Sequence, residues 1–275
     1  MLIAIDTGGS KTLIAQLSDE GEIVTKVQFP TPKDTEEYMI NVENAIDEVA
    51  GSNTPKAIAV AMPGVIVDDV AISCPNLGWK NFDIRPPLAK RFPGVPVWVE
   101  NDANLAGLGE TCMLNPMPSF SLYVTVSTGI GTGFTSKGKI DQSLRLSEGG
   151  HMVVEYDGAL RRWETFASGS AIHKIYNKYA RDITDKPTWD HIADRISRGF
   201  LAIIPLTQPD IIIFGGSIGS FFEQYNQQLE AILREKLPAH VPCPPLVQAQ
   251  SPKEAVIHGC YYHALSKLAD HSANH

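Results

Sequence analysis

A chain of 275 residues with 43% hydrophobic and 20% charged residues has the composition of a folded globular protein, long enough for one large or two modest cores. Its formal net charge of −8, with no Lys/Arg-rich run, argues against nucleic acid or an anionic membrane as the main partner. No apolar run approaches the ~18 residues of a spanning helix, and no basic and apolar signal segment precedes the first strand, so a cytoplasmic location is expected.

Leu2–Ile5 reads as a buried strand, and Asp6-Thr7-Gly8-Gly9-Ser10-Lys11 turns away from its end. Thr12–Leu17 and Ile23–Phe29 continue as strands around the Asp19-Glu20-Gly21 hairpin. A helix is predicted near Thr35–Val49, where Tyr38, Val42, Ala45, Ile46 and Val49 recur at helical spacing. Ala57–Ala61 is another strand, Val65–Ile72 a short hairpin around Asp68-Asp69, and Cys74–Trp79 a turn-rich loop. A short helix near Arg85–Arg91 leads to Val97-Trp98-Val99, which stops in Glu100-Asn101-Asp102 and passes at once into an Ala/Leu/Gly helix. Asp102 therefore stands where a strand ends and a helix begins. That place suits an N-cap carboxylate, and it suits the ligand crevice of an open α/β sheet.

Leu122–Val126 runs into Ser127-Thr128-Gly129-Ile130-Gly131-Thr132-Gly133, and Phe134–Ile140 returns as a hairpin. Set beside Asp6-Thr7-Gly8, Ser127-Thr128-Gly129 forms a weak internal repeat, which suggests two related α/β lobes. Glu148-Gly149-Gly150-His151 precedes a strand at Val153–Tyr156 and a polar turn. Helices are predicted near Phe166–Ala180 and Thr188–Ile204, then a buried strand within Pro209–Phe214 that feeds Gly215-Gly216-Ser217. A helix near Phe221–Glu235, a strand near Val247 and a last helix over Lys253–Leu268 complete the pattern, with His271 and His275 in a tail expected to fray. Cys74, Cys112, Cys243 and Cys260 show no metal-ligand spacing and read as free thiols.

Three glycine turns thus follow buried strands, after Asp6, Ser127 and Phe214, and glycine lets backbone amides approach a phosphate closely. None fits the P-loop or dinucleotide consensus. Together with PNLGW (Pro75–Trp79), ENDANLAGLGE (Glu100–Glu110), EGGH (Glu148–His151) and WETFASGSAI (Trp163–Ile172), the series resembles the ROK group of sugar kinases.

That resemblance implies an α/β, actin-like (ribonuclease H-like) ATPase fold of two lobes with a central cleft. Residues 1–107 would form the smaller lobe, with 253–275 packing back on it, and 108–252 the larger. It implies ATP-dependent phosphorylation of a hexose hydroxyl, glucose by default, with Asp102 as catalytic base. Asn76, Asn101, Glu148, His151 and Glu164 would contact the sugar. Asp6, Gly8, Gly9, Ser10, Lys11, Thr128, Gly129, Gly215 and Gly216 would serve the nucleotide, with Mg²⁺ carried on the ATP phosphates near Asp6. A homodimer is the family expectation. N-acetylmannosamine, fructose or allose would be alternative substrates, and Arg161 and Arg162 leave polyphosphate as a second conceivable donor.

Plainer readings stand beside these roles: Asn76 as a loop stabiliser, Glu164 as a first-turn helix acid, His151 as a structural histidine. A non-catalytic sugar sensor without a DNA-binding domain is the competing class. ROK proteins commonly hold a structural zinc with a cysteine-rich loop after the histidine. Val153–Arg162 contains no cysteine, so no zinc is expected, and packing by Tyr156 and Trp163 would have to hold that loop instead.

Overall fold

The computed structural model describes residues 1–273, and the chain divides into two compact units. The first comprises Met1–Cys112 and the chain from Lys253 onward; the second is Met113–Pro252.

The first unit opens with β1 (Leu2–Thr7), β2 (Lys11–Leu17) and β3 (Ile23–Pro30), followed by α1 (Thr35–Ala50) and β4 (Ile58–Met62). A small antiparallel sheet of β5 (Val65–Val67), β6 (Val70–Cys74) and β7 (Trp79–Phe82) comes next. Then follow α2 (Arg85–Arg91), β8 (Val97–Asn101) and α3 (Asp102–Met113). The main sheet has the order β3-β2-β1-β4-β8. β4 is buried at every position, as a central strand covered on both faces must be. Helix α1 starts where Asp34 accepts the Glu36 and Glu37 amides, and it buries Tyr38, Val42 and Ile46 against Ile3, Ile5 and Val60.

The second unit contains β9 (Phe120–Val126), β10 (Ile130–Ser136), β11 (Lys139–Ile140) and the hairpin β12 (Val153–Tyr156) and β13 (Ala159–Arg162). After these come α4 (Glu164–Ala167), α5 (Gly169–Tyr176), α6 (Lys186–Thr207), β14 (Ile211–Gly215), α7 (Gly216–Gly219), α8 (Asn226–Lys236) and β15 (Leu246–Gln248). Its sheet runs β11-β10-β9-β14-β15. Trp163, Trp189, Phe200, Phe214 and Tyr225 lie at the centre of its core. The chain returns to the first unit with α9 (Ala255–Ala273), which packs on β1 and β4. Both main sheets thus share one plan, an antiparallel three-strand meander whose first strand pairs in parallel with the next strand over.

Several expectations need correction. The Cys74–Trp79 loop is shorter than predicted: Cys74 ends β6 and Trp79 opens β7, because the indole packs 4.7 Å from Tyr38 and 4.9 Å from Phe82. Ile130–Gly133 is not a turn but the start of β10, with Gly131 and Gly133 paired to Thr125 and Tyr123. The single helix over Phe166–Ala180 is two: Ser168 breaks it, its Oγ accepting the Ala171 amide at 3.2 Å, and α5 ends on left-handed Asn177. The helix near Phe221 begins as a 3-10 turn at Phe222–Gln224 before α8. His271 is helical rather than frayed, with its ring 6.1 Å from that of Trp98; His275 lies outside the described residues. All four cysteines are free thiols, Cys74 and Cys260 fully buried. No helix among the described residues is long and apolar enough to cross a membrane.

Candidate active site

Parallel pairing sets the geometry in the first unit. β1 and β8 both run parallel to β4, with Asp6 opposite Ala61 and Ala61 opposite Glu100, so three strand ends emerge on one sheet edge. That edge is where open α/β sheets bind ligands. Asp102, half-buried, opens α3, and its Oδ1 accepts the Ala103 amide at 2.8 Å.

The expected cap sits one residue earlier. Asn101 Oδ1 takes the Ala103 and Asn104 amides at 2.9 and 3.1 Å, while its Nδ2 donates to Gly64 O at 2.9 Å. Asn101, expected to contact sugar, bonds backbone through both polar atoms, and its Nδ2 carries a second N–H beyond the bond to Gly64 O. Glu100 also serves the turn, its Oε1 accepting from Asn101 N at 2.8 Å and Asn104 Nδ2 at 3.2 Å. The run Glu100-Asn101-Asp102 uses two members to hold the third at the helix start.

Burial, with the Asp102 charge added, pushes the Asp6 carboxyl from 3.8 up to about 7. The adjoining turn is tied from outside. Gly8 N donates to Lys11 O at 2.9 Å, and Thr31 Oγ1 donates to Gly8 O at 2.8 Å. Lys33 Nζ bridges Gly9 O at 3.3 Å and Asn76 O at 2.6 Å, and its own carbonyl accepts from Trp79 Nε1 at 2.7 Å. Ser10, Lys11 and Asn76 are exposed. The supports Thr31 and Lys33 were not anticipated from sequence. Their signal was the position of Pro30 at the end of the strand paired to Lys11.

In the second unit a hairpin register brings the acidic and histidine elements together. β12 and β13 pair Val153 with Arg162, and the ladder continues as Trp163 N donates to Met152 O at 2.9 Å. The next residues outward are His151 and Glu164, and they meet: His151 Nε2 lies 3.2 Å from Glu164 Oε1, with the side chains 53% and 28% exposed and so open to a ligand. The Gly149–His151 turn is held on β10 by Gly149 N donating to Thr132 Oγ1 at 3.1 Å. Desolvation raises the Glu148 carboxyl above its ordinary value; His151 opposes this and Glu164 adds to it. A methyl placed on Gly129 would stand 2.8 Å from Glu164 Oε2, so that glycine turn adjoins the same carboxylate.

β9 and β14 are parallel with Gly215 opposite Thr125, so the turn Ser127–Gly129 and the Gly215-Gly216 step share one sheet edge. Gly169 N donates to Ser127 O at 2.7 Å and draws the start of α5 onto that turn. Gly216 has φ +79°, and a Cβ there would stand 2.6 Å from Val126 O, so chain reversal and packing demand that glycine. A cavity of about 610 Å³ opens beside it, lined among others by Thr128, Gly169, His173, Tyr179, Ser217 and Phe221. Gly215 and Gly216 stand behind this wall; Ser217 and Ile218 form it. The His173 and Tyr179 rings stack at 4.2 Å and 15°, and the Arg181 guanidinium lies 4.9 Å from the Tyr179 ring. His173 and Tyr179 escaped the sequence reading because they fall where one continuous helix was expected, and Arg181 because it lies just past that helix's expected end. Among the described residues no cluster of three or more His, Cys, Asp or Glu is arranged to hold a metal.

Duplicated sheets whose strand ends carry acidic and glycine turns define a protein of the actin-like ATPase fold. The family model described as ROK family matches residues 2–267, and the chain belongs to the ROK family. A fructokinase from Pediococcus pentosaceus is 27% identical over 264 residues, covering 88% of this chain and 86% of the relative. A glucokinase from Thermotoga maritima is 27% identical over 279 residues, 86% of each. The crystal structure of a ROK family glucokinase from Streptomyces griseus, in complex with glucose and AMPPNP, aligns with TM-score 0.77 at 21% identity, over 94% of this chain and 97% of that one.

Proposed function

We propose that this protein transfers the terminal phosphoryl group of ATP to a hexose hydroxyl, with Asp102 as general base. The observation that carries the reading is a half-buried carboxylate at a strand-to-helix junction, on the sheet edge it shares with Asp6. Asp102 takes the hydroxyl proton as the sugar oxygen bonds to phosphorus and the bond to the leaving ADP oxygen breaks. Glu148, His151, Glu164 and exposed Asn76 offer the fixed acceptors and donors that vicinal hydroxyls require. Asn101 acts as the support of Asp102.

The donor's nucleoside takes the 610 Å³ cavity, a size within the range of small-ligand sites. The flat His173–Tyr179 stack faces a base, while Thr128, Gly129 and the Gly8–Lys11 turn serve phosphates. A carboxyl raised to about 7 by burial and a second carboxylate is one that a divalent cation would return to its charged form, so Asp6 fits Mg²⁺ carried on the phosphates. The metal supplies neutralisation of phosphate charge there.

The test is Asp102→Asn. It should lower kcat by about 10²–10⁴-fold while hexose affinity stays within about tenfold. Unchanged turnover removes Asp102 from the chemistry. Assay of glucose, fructose, allose and N-acetylmannosamine, each with ATP and with polyphosphate, identifies the acceptor and donor.

A further inference from the structure

The His151–Glu164 pair depends on a hairpin that something must hold in place. Along β12 the side chains alternate: Val153 and Glu155 are exposed, while Val154 and Tyr156 turn inward onto the core. At its far end Asp157 and Gly158 turn the chain with φ of +55° and +71°, the geometry of a tight two-residue loop. Tyr156 lies flat on Phe166, centroids 4.4 Å apart and planes 6° from parallel. The Arg195 and Arg198 guanidinium groups cover the tyrosine at 4.8 and 5.7 Å.

The same arginine reaches both sides of Glu164. Arg195 Nη1 donates to Phe166 O at 3.3 Å, and Arg195 O accepts from Trp163 Nε1 at 3.3 Å. Trp163 is buried edge-on against Phe200, with centroids 5.3 Å apart. Glu164 therefore sits in one helical turn whose flanking aromatic residues are both fastened to α6. Tyr156 closes the arrangement from the hairpin side.

We propose that Tyr156, stacked between Phe166 and Arg195, is a positioning residue that fixes the hairpin against α6 and so holds His151 and Glu164 in register for the sugar. The inference rests on the hexose-kinase reading and adds to it a determinant of acceptor affinity. Aromatic stacking and a covering guanidinium are each modest forces. Their effect here is geometric, since a carboxylate displaced by about 1 Å loses much of its hold on a fixed hydroxyl.

Three enzymes are compared by calorimetric hexose binding and by steady-state kinetics: wild type, Tyr156→Phe and Tyr156→Ala. Tyr156→Phe keeps the stack and should match wild type within about twofold. Tyr156→Ala should raise both the hexose Kd and KM about tenfold or more, with KM for ATP unchanged and kcat reduced less than about threefold. A merely structural role would instead lower the melting temperature and the active fraction, reducing kcat and sparing KM. Arg195→Lys, which removes the planar cover but keeps the charge, should shift hexose KM in the same direction and stands in should Tyr156→Ala fail to fold. Hexose KM within twofold of wild type in Tyr156→Ala, or in Arg195→Lys where it stands in, overturns the proposal. Wild-type protein that binds no hexose overturns the functional reading and this inference with it.

Discussion

Two carboxylates meet at one sheet edge, and burial makes the charge on one of them costly. Asp6 has its pKa raised from 3.8 to about 7, first by desolvation and then by Asp102. Between those values the folded chain keeps a proton that the unfolded chain has lost. Stability therefore falls as pH rises from about 4 to about 7 and levels off above, with a slope of at most about 1.4 kcal/mol per pH unit. Asp6→Asn removes the titrating group and with it the slope. The variant should melt higher than wild type at pH 8 and lose most of that advantage at pH 4, while turnover drops. Melting curves across this range, without Mg²⁺, decide it: parallel profiles for the two proteins would show that Asp6 is not held protonated. The sequence placed Asp6 and Asp102 at strand ends, because a β-branched run stopping in an acid is visible without coordinates. It did not reveal that Asn101 would brace the backbone of the turn, since an amide beside an acid looks the same whether it binds ligand or turn.

At the scale of elements, the hairpin between His151 and Glu164 shows what could have been read and was not. Asp157-Gly158 is a two-residue hairpin signal, and counting outward from it pairs 153 with 162 and 151 with 164. Charged Arg161 and Arg162 disguised β13, whose pairing comes from the turn and from Tyr156 packing rather than from its own apolar content. The split of α4 from α5 was likewise hidden, since Ser168 mid-segment signals a cap only once the chain around it is known to bend. Long periodic elements were legible: α1, α6 and α9 follow their apolar spacing. The glycines of α3 and α9 carry a further consequence. A Cβ on Gly259 would strike the Leu105 carbonyl, and one on Gly109 would stand 2.8 Å from Gly259 N. The two helix backbones touch there, and neither can yield without moving its neighbour. Gly259→Ala should cost about 1–3 kcal/mol in urea unfolding, against a gain of a few tenths for the same change on an open helix face. No loss of stability would mean that the helices can separate freely at this point.

Across the whole molecule, the duplicated sheet plan is what the paired Asp-Thr-Gly and Ser-Thr-Gly turns announced, because a strand ending in a polar residue and glycine must leave its sheet at that end. Duplication does not make the two units alike in chemistry. The carboxylates Asp6 and Asp102 belong to the first, whereas the cavity draws its lining entirely from residues 127–221 of the second. In the proposed donor site the nucleoside is held by the second unit alone, and the first unit contributes only Asp6 and the Gly8–Lys11 turn, toward the phosphates. An ATP analogue that cannot transfer its phosphoryl group, added without sugar, should then slow hydrogen exchange at residues 169–173, 179–181 and 217–221. Amides of β3 and α1, which line no part of that cavity, should exchange at their original rates. The net charge of −8 does not oppose this outcome, since screening at physiological salt confines electrostatics to about 8 Å and Arg181 stands at the cavity itself. Protection confined to the first unit would move the donor elsewhere, and the His173–Tyr179 stack would then need another ligand to explain it.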